Sequence, residues 1–211
     1  PTPTPGHSSA ASDVYKRQDS RMIYSGLVMK LLPPNDPRVL SSIAPFVEGN
    51  FKELEGEKTL KEFVDDMFAT MKQYGGIGLS ANQVGKPYRM FVMGDNEQIA
   101  NGKKWVCINP EITDMSKELI RYKEGCLTFP FLFLDIERPQ KVKVKYLNEK
   151  LETVEEEMDG IVSRCYQHEL DHMNGKVFTE LVSKLKLDMA LKKRDKEIKR
   201  ISKLYAKKKN T

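Results

Sequence analysis

Gln167-His168-Glu169-Leu170-Asp171-His172 is the stretch on which the reading of this chain turns. It carries a His-Glu-x-x-His signature and sits near the start of what reads as a helix, entered from Asp159-Gly160. Two histidines four apart share one helical face, with Cβ atoms about 5–6 Å apart, so both imidazoles reach one metal ion. The glutamate beside the first histidine can touch a water held at that ion, which is the layout of metal-assisted hydrolysis. The motif lacks a third ligand, an oxyanion hole and a substrate pocket, and the rest of the chain has to supply them.

Working outward, Val142-Lys143-Val144-Lys145-Tyr146 alternates as a half-buried strand. Leu151 to Met158 reads as its hairpin partner across Asn148-Glu149-Lys150. Shorter strand-like runs precede them at Arg89 to Met93, Trp105 to Asn109 and Glu118 to Tyr122, with Gly94 to Lys104 as a polar loop between the first two. Lys58 to Tyr74 sets Leu60, Phe63, Val64, Met67, Phe68 and Met71 at helical spacing, and Gly75-Gly76 closes the helix as a C-cap pair. Its Met and Phe stripe reads as core. Gly26 to Leu32 is an apolar segment of strand character, ended by the turn Pro33-Pro34-Asn35-Asp36-Pro37. The expected fold class is α+β: antiparallel strands packed around the central motif-bearing helix, plus a C-terminal helix.

At 211 residues and 39% hydrophobic content the chain suits one compact domain with tails. Cys107, Cys126 and Cys165 are too few and too irregular for a disulfide framework, so a reducing, cytoplasmic setting is expected. There is no run of about 18 apolar residues, and neither a membrane nor DNA is expected as a partner. Residues 1–20 are rich in Pro, Ser and Thr and read as a disordered or non-native extension, with His7 a solvated tail residue. The expected division is therefore 1–20, a catalytic body at 21–183, and a basic tail at 184–211. From Lys184 to Thr211 there are 12 Lys/Arg against 3 Asp/Glu, a net of +9, so the other residues carry −4 of the overall +5. Leu187, Leu191, Ile198, Ile201, Leu204 and Tyr205 run close to a helical stripe through that tail. It reads either as a helix docked on the body or as a docked helix whose basic face is also drawn to phosphates.

Two further stretches carry chemistry. Gly76-Ile77-Gly78-Leu79-Ser80-Ala81-Asn82-Gln83 brings small residues, which let a backbone approach a ligand, up to a side-chain amide whose donors can face a developing negative charge. It is no phosphate loop, because no Lys-Ser/Thr pair follows. Glu124-Gly125-Cys126-Leu127-Thr128-Phe129-Pro130 presents a cysteine that, taken alone, reads as inert core.

Taken together, the stretch ending in Gln83, Glu124-Gly125-Cys126-Leu127-Thr128 and Gln167-His168-Glu169-Leu170-Asp171-His172-Met173-Asn174-Gly175 resemble the three signature motifs of the peptide deformylase family, in that family's order. The resemblance covers roughly Met29 to Leu185. It implies that Cys126, His168 and His172 hold one divalent metal, Fe2+ being the family's ion and Zn2+ or Ni2+ substitutes. It implies Glu169 as general base, and Gln83 with the backbone N–H of Leu127 as oxyanion donors. The implied substrate is a nascent peptide with an N-terminal formyl-methionine, bound along Ile77, Gly78, Glu124, Gly125 and Cys165, and the product is formate. Asp171 reads equally as a residue orienting an imidazole and as a solvated carboxylate. The chain departs from the family pattern at Ser80 and Thr128, both small, and in the apolar run Phe131-Leu132-Phe133-Leu134, where Phe133 stands near an arginine's usual place. That run implies altered contacts beyond the methionine, or a buried strand or self-association patch. The rival readings are a zincin-type metallopeptidase, which needs a downstream His or Glu ligand, and an inactive metal-holding module on the ribosome.

Overall fold

The computed structural model describes residues 26–97 and 99–209. The expected extension at residues 1–20, His7 included, lies outside the described residues. After Gly26 the chain is irregular and pairs with no strand, contrary to the strand expected at Gly26 to Leu32. Three of its backbone donors are met elsewhere: Leu27 N–H donates to Asp66 Oδ1 at 2.6 Å, Met29 N–H to Thr70 Oγ1 at 2.8 Å and Leu32 N–H to the Gln83 carbonyl at 2.8 Å. With those donors satisfied, the segment needs no strand partner. The proline-rich turn follows where expected, Asp36 N–H bonding Pro33 O at 3.0 Å.

A short helix α1 (Glu48–Glu55), which the sequence analysis did not anticipate, buries a single residue, Phe51. That one contact is enough because it is aromatic on several sides. Phe51 meets Phe46, Phe63 and Tyr88 with ring centroids 5.1–5.9 Å apart. Helix α2 (Leu60–Gln73) starts at a capping box in which Thr59 and Glu62 exchange hydrogen bonds. It buries Phe63, Val64, Met67, Phe68 and Met71, and ends where Gly75 takes φ 72°.

Seven strands follow: β1 (Gly78–Ser80), β2 (Met90–Asn96), β3 (Ile99–Met115), β4 (Leu119–Cys126), β5 (Phe129–Pro139), β6 (Lys141–Leu147) and β7 (Thr153–Asp159). Five form an antiparallel sheet in the order β1-β2-β3-β6-β7, and β4 pairs with β5 as a separate antiparallel ribbon. The stretch Gly94 to Lys104, expected as a polar loop, is instead the two arms of the β2–β3 hairpin, with Gly94 paired to Lys104 and Asn96 to Ile99. Backbone pairing carries the arms past the apolar part of the strands, so composition misleads there. Gly94 sits in a register shift at φ 87°, and a Cβ on it would lie 2.1 Å from Lys103 O. Only glycine fits that bulge.

Helix α3 (Gly160–Met173) packs on β1, β2, β3 and β7 and reaches β5. Tyr166 is fully buried and stacks edge-on against Phe91 at 5.1 Å. The observed class is thus the expected α+β arrangement around the motif helix. Helix α4 (Lys184–Lys209) lays Leu187, Ala190 and Leu191 against Leu132, Leu134, Ile136 and Phe178. Beyond Leu191 none of the described side chains is buried. No helix among the described residues is long and apolar enough to cross a membrane.

The aromatic cluster around Phe63 and the Thr59 cap make distinct demands on stability. Phe63→Ala is expected to cost about 3–5 kcal/mol and Thr59→Ala about 1 kcal/mol, read from urea unfolding midpoints at unchanged slope.

Candidate active site

The motif does not lie near the start of its helix, where its sequence predicts it. It occupies the last two turns of α3, because the helix begins at Gly160 with Ile161-Val162-Ser163-Arg164-Cys165-Tyr166 ahead of it. That placement buries both histidines under the β4–β5 ribbon, and their ring centroids lie 5.2 Å apart. Cys126 arrives from the end of β4, where the pairing with β5 shifts register between Gly125 and Cys126. Its Sγ lies 3.3 Å from His172 Nε2. Donor atoms of Cys126, His168 and His172 all fall within 4.8 Å of one another. Thiol plus two imidazoles, three donors facing one point beside a pocket, is a set that fits a single divalent transition-metal ion.

The other expected residues gather on the same floor. Gln83 lies in a 3-10 turn (Ala81–Val84) directly after β1. Its Oε1 accepts from Ser80 N–H at 2.8 Å, which turns its Nε2 toward Thr128 Oγ1 at 3.0 Å and Cys126 Sγ at 3.5 Å. Leu127 follows in the two-residue turn between β4 and β5. Glu169 is buried, and its Oε2 accepts from the Ser80 hydroxyl at 2.7 Å. Burial raises its proton affinity, against the opposing pull of His168 and of the Ser80 hydrogen bond. Gly78 has to be glycine: a Cβ would stand 2.4 Å from Glu169 Oε1 and 2.8 Å from Cys165 Sγ.

Gln83, Cys126, His168 and Glu169 open onto a cavity of about 410 Å³, along which Ile77, Gly78, Leu127 and Cys165 also lie. Gly125 lines it as well. Glu124, expected among the substrate contacts, also lines the cavity, and both its carboxylate oxygens are committed to neighbouring side chains. Oε1 accepts from Arg138 Nε at 2.7 Å and Arg164 Nη1 at 2.6 Å, while Oε2 accepts from Arg138 Nη2 at 3.0 Å and lies 3.1 Å from His168 Nδ1. Burial would raise its pKa, but His168 and Arg138 hold it down to about 2. Asp171 neither orients an imidazole directly nor stands free in solvent: its Oδ2 accepts from Arg138 Nη1 at 2.8 Å.

This network sets the charge state of the histidines. Burial works against protonating His168, yet Cys126 and Glu124 outweigh it and raise its pKa to about 10. His172 is pushed well below the usual imidazole range by burial and by the neighbouring His168 and Arg138. A carboxylate at His168 Nδ1 leaves Nε2 as the nitrogen that faces outward, the usual way a ligating histidine is oriented. The sulfur and carboxylates that hold a proton on His168 equally favour a cation among them.

Sequence reasoning missed Arg138, Arg164, Asn82 and the hydrogen bond from Ser80. Arg138 had a signal: Leu132, Leu134, Ile136 and Arg138 alternate on the inward face of β5, so period two alone places a guanidinium in the interior. Asn82 donates from Nδ2 to His172 O at 3.0 Å, tying the Gln83 turn to the end of α3. Ser80, a small departure from the family pattern by sequence, donates its hydroxyl to Glu169 Oε2.

Residues 28–188 match the family model described as polypeptide deformylase. The chain belongs to the polypeptide deformylase family. It is 43% identical to a peptide deformylase of Mesorhizobium japonicum over 134 residues, 64% of this chain and 76% of that one. It is 37% identical to one of Erythrobacter litoralis over 190 residues, covering 79% and 95%. Among solved structures it is similar to the peptide deformylase of Thermotoga maritima, with a TM-score of 0.65, 37% identity, and 74% and 98% of the two chains covered. It is also similar to that of Synechococcus elongatus in complex with actinonin, with a TM-score of 0.71, 32% identity, and 79% and 88% covered. The matched span takes in every residue of the floor and stops five residues into α4, so most of the basic helix lies beyond it.

Arg138 is the group whose loss the site should feel most. Arg138→Met leaves Glu124 and Asp171 short of their buried cation, and a cost of about 3–5 kcal/mol is expected. Urea unfolding measures that cost, and metal content per chain reports whether His168 keeps its orientation.

Proposed function

We propose that this chain removes the formyl group from the N-terminal formyl-methionine of newly made peptides, releasing formate. The observation that carries the reading is the convergence of a thiol, two imidazoles, a buried carboxyl and a primary amide on one floor beneath an apolar cavity. Cys126, His168 and His172 would hold one divalent ion; Fe2+ follows from the family resemblance, with Zn2+ or Ni2+ as substitutes. Such an ion, when bound, supplies Lewis acidity, acidifying a water and polarising a carbonyl.

The chain's own residues do the rest. β1 is the edge strand of the five-stranded sheet, so Gly78 and its neighbours offer unpaired backbone along which an extended peptide can add. Ile77, Leu127 and Cys165 give the methionine side chain apolar walls. Glu169 takes a proton from the attacking water as it adds to the formyl carbon, then delivers it to the leaving amine when the C–N bond breaks. Gln83 Nε2 and the Leu127 N–H stabilise the oxyanion of the addition step, each such donor being worth about 3–4 kcal/mol. The Ser80 hydroxyl keeps the Glu169 carboxyl aimed at the floor. A zincin-type peptidase reading has no use for Gln83 or for a cysteine ligand, and an inactive module has no use for Glu169.

By the same reading the catalytic body is 21–183 and the basic tail 184–211 is a separate functional segment. The charge of +9 and the unburied helix beyond Leu191 support a contact with ribosomal RNA, which would place the enzyme where peptides emerge, in the cytoplasm or an equivalent translating compartment.

Glu169→Ala is expected to keep its metal yet lose about 10²–10⁴-fold in turnover. Formate release from formyl-Met-Ala under anaerobic conditions checks this, and an active variant would sink the mechanism. Ending the chain after Lys192 should weaken co-sedimentation with ribosomes and flatten its dependence on salt; unchanged binding removes the tail from that role.

A further inference from the structure

The cavity is also lined, beyond the residues of its floor, by large and partly exposed apolar side chains. Phe133 lies there with 49% of its surface exposed. Its ring is seated on the backbone of its strand partner Gly125, where a Cβ would meet ring atoms at 2.8 and 3.0 Å. Alternation along β5 explains the placement: Leu132 and Leu134 turn into the core, so Phe133 turns out toward the cavity. Phe131, at φ 63°, lines the same cavity, as do Ile161 and Tyr74, which are 38% and 40% exposed.

Arg164 is bound to Glu124 at 2.6 Å, while Lys123, also on the lining, is exposed and only 3.9 Å from an exposed Asp135. Apart from that lysine, Phe133, Phe131, Ile161 and Tyr74 offer rings and aliphatic carbon. A large exposed ring fixed by two torsions and braced on a glycine is preorganised for contact, and its ordering is not charged to the ligand. Its continuity with the cavity fixes the occupant. Once the methionine fills the apolar walls beside the floor, an extended peptide advancing about 3.3 Å per residue passes these side chains within its next two residues.

We propose that Phe133 is a specificity-determining residue. With Phe131, Ile161 and Tyr74 it forms an apolar subsite for a side chain in one of the two residues after formyl-methionine, selecting peptides with a large apolar or aromatic residue there. The inference rests on the deformylase reading above.

The test uses the full, metal-loaded chain under anaerobic conditions, with formate release from formyl-Met-X-Ser and formyl-Met-Ser-X where X is Phe, Leu, Ser, Asp or Lys. Phe and Leu should exceed Ser, Asp and Lys in kcat/KM by about tenfold at one of the two positions, mainly through KM. Phe133→Ser should bring the Phe-to-Ser ratio close to unity, while Phe133→Leu should retain most of it. A ratio of two substrates on one preparation is independent of how much variant folds. Formate release throughout with a flat wild-type series overturns the subsite and leaves the activity standing. A preference that survives Phe133→Ser overturns the role of Phe133. A flat series together with dimerisation lost in Phe133→Ser, read by sedimentation equilibrium, reassigns the ring to contact between two copies. No formate from any substrate overturns the deformylase reading itself.

Discussion

The carboxylate of Glu124 is the constraint on which the site depends. Buried at the end of β4, it is met by Arg138 from β5, Arg164 from α3 and His168 from the next turn of the same helix. Buried ion pairs contribute little net stability, because desolvation offsets much of the attraction. What this one contributes is registration. Arg164 and His168 reach the carboxylate, and Arg138 reaches Asp171, only when the β4–β5 ribbon lies across α3 at one offset, and that offset also brings Cys126 up to His172. Arg138 extends the clamp to Asp171, one residue from His172.

A second constraint is the absence of side chains where the floor and its carboxyl meet. Gly78 lets Glu169 and Cys165 press against β1, and a Cβ on Gly76 would stand 2.6 Å from the Leu127 side chain. Backbone approaches of this kind set the width of the cavity beside the reacting groups, so the glycines of the first motif act by geometry. Ser80 and Asn82 then connect that motif to α3 by hydrogen bonds, to Glu169 and to the carbonyl of His172. By these contacts the three motifs, far apart in the chain, are tied together at one floor.

Legibility in the sequence followed the range of the forces involved. The α2 helix, the β6–β7 hairpin and the motif helix rest on periodicity and turn chemistry, which are local, and they were readable. The β2–β3 arms between Gly94 and Lys104 were not, since a polar stretch becomes strand when its partner's register extends that far. The segment at Gly26 to Leu32 failed the opposite way, three of its donors being taken by Asp66 and Thr70 on a distant helix and by the Gln83 carbonyl. Helix α1, eight residues held by one buried phenylalanine, carries too little pattern to announce itself.

Residue types in order determined the chemistry: two histidines and a glutamate at helical spacing, a cysteine between a glycine and a leucine, and a glutamine after small residues admit few reactions together. Those are local facts of side-chain identity and spacing. Only the tertiary structure decided that Glu124 meets the histidine's Nδ1, that Ser80 bonds Glu169, and that Phe133 stands partly exposed on the cavity lining. Each of these depends on which face of a strand meets which turn of α3. That is a matter of packing between segments tens of residues apart, and no single segment encodes it.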